Sequence, residues 1–125
     1  MRSTTSNITV GWTINCSRGI WSGQHSDKCY NWWGYDPTWK KIGSINTTFV
    51  GNGLATLNFG NCYTDGYVEV YVDGTLKANA TKNQRYVQID FPFHDDSVLE
   101  IREHGAIIQF NNLNIIYCGK HFLQH

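Results

Sequence analysis

The chain has 125 residues, 16% of them charged, and its ten Lys and Arg balance its ten Asp and Glu. This length suits one domain with a real core, read as residues 1–125, with a folded core over 6–118 and a flexible tail over 119–125. A net charge of zero supplies no basic stripe for phosphates, and no run approaches the ~18 apolar residues of a membrane span. Nucleic acid and membrane insertion are therefore set aside.

In chain order, the first expected strand is Ile8-Thr-Val-Gly-Trp-Thr-Ile14. The next segment, Ser17 to Lys41, shows little alternation and holds three Gly and one Pro, so it reads as a long structured loop. All five tryptophans, Trp12, Trp21, Trp32, Trp33 and Trp39, fall in the first third of the chain, and Tyr35 joins them. That aromatic content argues against disorder. Tryptophan is rigid and amphipathic, and its flat face stacks on sugar rings, other aromatics and cations. Trp21, Asn31, Trp32, Trp33, Tyr35, Asp36 and Trp39 interleave rings with polar groups, the composition that a sugar-binding surface needs. The same rings also suit a satellite core under a loop that covers one end of the domain. Trp32 and Trp33, being adjacent, cannot both face one way in an extended segment.

Beyond residue 44 alternation is everywhere. Ile45–Val50 and Leu54–Phe59 flank the turn residues Gly51, Asn52 and Gly53, and Asn46 is expected to face water. In Gly66–Gly74, Val68, Val70 and Val72 point one way while Tyr67, Glu69, Tyr71 and Asp73 point the other. Asp73-Gly74 predicts a two-residue hairpin turn that returns along Thr75–Ala80. Arg85–Phe93 places Val87, Ile89, Phe91 and Phe93 on one face, and Val98–Glu103 turns Leu99 and Ile101 inward. Ala106–Phe110 and Leu113–Tyr117 are separated by Asn111 and Asn112. About eight strands with Gly, Asn and Asp turns predict an all-β antiparallel sandwich of jelly-roll type.

Val68-Glu-Val-Tyr-Val-Asp-Gly-Thr75 resembles the strand-and-turn signature of lectin-like sandwich modules. The succession Phe91 to Phe93, Val98 to Ile101 and Ala106 to Ile108 is similar to the last strands of galactose-binding-like jelly rolls. The resemblance covers the C-terminal half and lies in strand grammar, so it carries over no site residue. It implies carbohydrate binding, through loops at one end or through an aromatic-lined face.

Four cysteines suit two bridges in an oxidising compartment, and three pairings are open. The preferred one joins Cys16 to Cys29, closing the Trp-rich segment, and Cys62 to Cys118. Such a loop closure contributes roughly 3 kcal/mol in the chain-entropy model. Asn-X-Ser/Thr occurs at Asn7, Asn15, Asn46 and Asn79, and Asn7, Asn46 and Asn79 are taken as glycan acceptors because Cys16 crowds Asn15. Together these features place the chain outside the cell, with a native leader removed or replaced ahead of Met1.

No cofactor is expected. A structural calcium ion at His94, Asp95 and Asp96, with Glu100, Glu103 and His104 nearby, is the alternative, although Glu100 and Glu103 fall on opposite faces by parity. No Gly-X-Ser-X-Gly, His-Glu-X-X-His or phosphate-binding Gly loop is present, so no catalytic residue is assigned. The sequence thus predicts a secreted, non-catalytic binding module whose partner is a glycan. The rival is an extracellular structural or adhesion module, with a second protein or a second copy of itself as partner.

Overall fold

The computed structural model describes residues 2–6, 12–15, 20–22, 27–29, 43–111 and 113–117. Among them twelve strands form two antiparallel sheets. They are β1 (Arg2–Ser6), β2 (Trp12–Asn15), β3 (Ile20–Ser22), β4 (Asp27–Cys29), β5 (Ser44–Thr48), β6 (Gly53–Asn61), β7 (Tyr67–Val72), β8 (Thr75–Ala80), β9 (Val87–Phe93), β10 (Val98–His104), β11 (Ile108–Phe110) and β12 (Leu113–Tyr117). Sheet 1 runs β1-β12-β6-β11-β4-β3, with β9 on the other side of β6, and sheet 2 runs β2-β5-β10-β7-β8. The two-sheet architecture expected from the alternation is present. Among the described residues no helix is long and apolar enough to cross a membrane.

Period-2 patterning accounts for the core. Ala55, Leu57 and Phe59 of β6, Phe91 and Phe93 of β9, Ile108 and Phe110, and Leu113 and Ile115 are buried from sheet 1. They meet Ile45, Val68, Val70, Val72, Leu99 and Ile101 of sheet 2. Phe49 plugs one end, its ring stacked on Phe93 at 4.3 Å and edge-on to Phe91 at 6.0 Å. Full burial of each such side chain contributes about 1.5–3 kcal/mol, which sets the strand register.

The longest strand, β6, pairs with β9 along one side, from Gly53↔Phe93 to Phe59↔Val87. Along its other side it pairs first with β12, Tyr117↔Gly53 through Asn114↔Thr56, and then with β11, Phe110↔Phe59 and Ile108↔Asn61. The β11 and β12 registers differ by one residue, so the two strands follow one another along β6 one residue out of phase. Asn111 N–H still bonds to Asn58 O at 3.0 Å between them.

At the tip between β7 and β8, Asp73 and Gly74 both have positive φ, 51° and 79°. These are the angles of the type I′ turn expected from Asp-Gly. Asp73 also binds the 94–98 turn: its carboxylate accepts from Val98 N–H and Ser97 Oγ, both at 2.9 Å. The Val98 N–H, and after it the Ser97 hydroxyl, hold the Asp73 carboxyl below its usual pKa. A Cβ on Gly74 would meet nothing within 4 Å, so substitution there is strained by φ alone. Gly74→Val is expected to lower stability by about 1–3 kcal/mol in urea unfolding. An unchanged midpoint would mean that the backbone conformation at this tip is not what holds the hairpin.

Two sequence expectations are corrected. First, three short strands were not foreseen: β1 carries the fold back to Arg2, ahead of residue 6, and β3 with β4 form a ladder inside the segment read as a loop from Ser17 to Lys41. The turn at Gly51 and Asn52 links β5 in sheet 2 to β6 in sheet 1. Second, Cys62 is a free thiol, so the Cys62–Cys118 bridge is wrong. Tyr117 lies opposite Gly53, whereas Cys62 follows Asn61 at the far end of the same strand. Eight residues of extended chain span about 26 Å, and a disulfide needs Cα atoms within about 7 Å. Asn46 lies on the outward face of β5, as parity expects, and is half-buried there. Cys29 is buried and disulfide-bonded; Cys16 and Cys118 lie outside the described residues.

Candidate functional site

Of the residues expected to bind ligand, Asn31, Trp32, Trp33, Tyr35, Asp36 and Trp39 lie outside the described residues. Trp21 is in β3, opposite Lys28 of β4, whose neighbour across the next strand is Gln109. Asn7 also lies outside the described residues, while Asn79 is exposed on the edge strand β8.

The described residues bring together a different group, on the outward face of sheet 2. Val68, Val70 and Val72 point into the core, which leaves Tyr67, Glu69 and Tyr71 outward, and the same parity turns Glu100, Arg102 and His104 outward on β10. Antiparallel register then sets them side by side: His104 opposite Tyr67, Arg102 opposite Glu69, and Glu100 opposite Tyr71. On the flanking strands Asn46 is opposite Glu100, and Asn79 is opposite Glu69. The sequence signalled the outward set on β7, but only the pairing of β7 with β10, some 30 residues further on, shows what stands beside it.

The group is tightly interlocked. The rings of Tyr67 and His104 stack at 4.5 Å with planes 15° apart. Glu69 Oε1 lies 2.7 Å from His104 Nε2 and accepts a 3.0 Å hydrogen bond from Tyr71 Oη. Partial burial, and then the bond to Glu69, raise the Tyr71 pKa. The Arg102 guanidinium lies over the Tyr71 ring, 4.2 Å from its centre, and donates through Nη2 to Glu100 Oε1 at 2.8 Å. That bond raises the Arg102 pKa and keeps the group charged. The His104 and Glu69 side chains are only 11% and 17% exposed, whereas Arg102 and Glu100 reach 38% and 29%. The face is thus sheltered at the Tyr67 end and open at the Arg102 end.

Two turns hold this end of the sheet in place. Asn61, fully buried, donates from Nδ2 to Asp65 O at 3.0 Å and Gly66 O at 3.3 Å, and its Oδ1 accepts from Tyr63 N–H at 2.8 Å. Gly66, at φ 70°, then brings the start of β7 against the carbonyls of His104 and Gly105. Glu103, on the inner face and 1% exposed, accepts from Gly43 N–H at 2.8 Å and Ala106 N–H at 2.9 Å. It ties the entry to β5 to the exit of β10.

The candidate calcium ligands are not brought together. Asp95 accepts from Gly51 N–H at 2.8 Å, Glu103 is bound as above, and Glu100 faces the opposite side of β10 with Arg102. Ser97 Oγ accepts from His94 N–H, which closes the 94–97 segment as an ordinary turn. Among the described residues no group of three His, Cys, Asp or Glu side chains is placed to hold a metal ion.

At the level of sequence, no family model and no curated protein match this chain. Solved structures do match the fold. A family 35 carbohydrate binding module from an environmental isolate aligns over 95% of each chain at TM-score 0.54 and 14% identity. CBM29_1, a family 29 carbohydrate binding module from Piromyces equi, aligns over 100% of this chain and 99% of its own at TM-score 0.52 and 15% identity. A family two carbohydrate esterase from Cellvibrio japonicus aligns over 94% of this chain at TM-score 0.62 and 12% identity, but this chain spans about a third (34%) of its length. The resemblance in strand grammar to carbohydrate-binding jelly rolls therefore holds at the level of fold.

Proposed function

We propose that the chain is a non-catalytic carbohydrate-binding domain of a secreted protein. One observation carries the reading: the outward face of sheet 2 interleaves Tyr67, Tyr71 and His104 with Glu69, Glu100 and Arg102. Sugars present C–H faces ringed by hydroxyls, and rings beside fixed donors and acceptors complement both. Its support is a fold shared with carbohydrate binding modules over their full length. In this proposal Trp21, Asn31, Trp32, Trp33, Tyr35, Asp36 and Trp39 supply further ligand contacts, and a Cys16–Cys29 bridge closes the segment that carries them. Asn79, exposed on the edge strand β8, stands opposite Glu69 on this same face, so on this proposal the face binds ligand without a glycan attached there.

Affinity electrophoresis in gels containing soluble polysaccharides tests the proposal. At least one polysaccharide is expected to retard the native chain. Arg102→Ala is expected to weaken that binding about tenfold or more, equivalent to 1.4 kcal/mol, and to move the unfolding midpoint little because the side chain is partly exposed. Trp→Ala at 21, 32, 33 and 39 sorts the aromatic segment: a ligand contact loses binding with stability intact, and a buried ring loses roughly 3–5 kcal/mol. Retention by no polysaccharide, with self-association or capture of a protein partner instead, would replace this reading by an adhesion module.

A further inference from the structure

We infer that the outward face of sheet 2 selects uncharged glycans and turns acidic ones away; the inference rests on the carbohydrate-binding reading and adds the class of sugar. Among the described residues of this face the charged groups are Glu69, Glu100 and Arg102, and each already has a partner on the face itself, Glu69 in the His104 ring. Lys77, at the register shift in β8, lies within electrostatic reach of Asp73 at the hairpin tip. A carboxylated or sulfated sugar approaching Arg102 meets Glu100 at 2.8 Å from the guanidinium, with Glu69 on the strand beside it. It must displace a carboxylate that is already seated, or stand beside two others in a partly sheltered place. Either route costs free energy, and built-in repulsion of this kind is how a site discriminates against a competitor.

A neutral sugar meets no such opposition. Arg102 uses one of its five N–H groups on Glu100, which leaves donors at the open end of the face, and Glu100 keeps acceptor capacity beside them. Adjacent donor and acceptor atoms suit neighbouring hydroxyls of one sugar ring, each of which both gives and takes a hydrogen bond. The Arg102–Glu100 pair is thus a reader of hydroxyl pairs, and its carboxylate guards the guanidinium.

The experiment compares a neutral polysaccharide, soluble galactomannan or xyloglucan, with polygalacturonate, by affinity electrophoresis and calorimetry, on the native chain and on Glu100→Gln. The native chain is expected to bind a neutral polymer with affinity changing less than about twofold from about 0.05 to 0.5 M sodium chloride. Its weak affinity for polygalacturonate should rise, not fall, over that range as repulsion is screened. E100Q, checked for folding by near-ultraviolet circular dichroism, should gain about fivefold or more for polygalacturonate at low salt. Tight polygalacturonate binding by the native chain that weakens with salt would overturn the selectivity and leave carbohydrate binding standing. So would an E100Q variant that folds yet gains nothing. Should E100Q fail to fold, the direction of the native chain's salt dependence decides alone. Binding of neither polymer class would overturn the carbohydrate-binding reading itself, and the selectivity with it.

Discussion

Glu103→Ala is expected to destabilise the domain by about 2–6 kcal/mol, from two buried N–H groups left without their acceptor at about 1–3 kcal/mol each. The carboxylate is 1% exposed and joins Gly43 N–H to Ala106 N–H, 60 and 3 residues away. Removing it also opens a void between the two chain segments. Glu103→Gln keeps the shape and one acceptor but turns an amide N–H₂ toward an N–H, so its loss should fall between wild type and alanine. Urea unfolding of the three proteins measures the order. Losses below about 0.5 kcal/mol for both variants would show that water satisfies these donors and that the carboxylate does not hold β5 to β10.

Gly66→Ala carries the second large effect. Gly66 and Gly74 share a similar backbone, φ 70° and 79°, so the intrinsic penalty for a side chain is alike at both. Their surroundings differ. A Cβ at Gly66 would lie 2.3 Å from His104 O and 2.4 Å from Gly105 O, whereas one at Gly74 touches nothing. Backbone carbonyls cannot swing aside as a flexible side chain can, so the start of β7 must move off the end of β10. Alanine is expected to cost about 1–2 kcal/mol at Gly74 and at least about 3 kcal/mol at Gly66. The displacement also pulls Tyr67 off His104, so the near-ultraviolet circular dichroism of the folded variant should change. Equal losses at the two positions would mean that φ alone governs both and that the close approach relaxes freely.

Much of the frame was legible because apolar residues at every second position have one economical solution, a pair of sheets with their apolar faces together. Tyr67 to Val72 alternates without a break and Val98 to Ile101 puts Leu99 and Ile101 inward, and both strands lie where that alternation puts them. The short strands β1, β3 and β4 escaped notice for a physical reason. Arg2–Ser6 has no apolar residue, and three-residue strands are too short to show a period, so their existence depends on the neighbours that template them. The Cys62–Cys118 pairing failed because strand ends that are equivalent in sequence terms sit at opposite ends of an antiparallel ladder. The outward face was half legible: parity gave Glu69 its side, but only register gave it His104 and Arg102 as neighbours. The aromatic residues from Asn31 to Trp39, which composition singled out most strongly, lie outside the described residues.

The one-residue mismatch between the ladders of β11 and β12 acts as a phase shifter. Against the odd-numbered inner residues of β6, the inner positions of β11 are even, Ile108 and Phe110, and those of β12 are odd, Leu113 and Ile115. A strand without an extra residue keeps one parity throughout, so one of these apolar pairs would be turned out to solvent. The spacing of three between Phe110 and Leu113 is what lets both pairs reach the same interior. The linker at 111 and 112 is therefore constrained in number before it is constrained in kind. Exchanging its side chains leaves the phase alone, whereas adding or removing a single residue inverts everything that follows it.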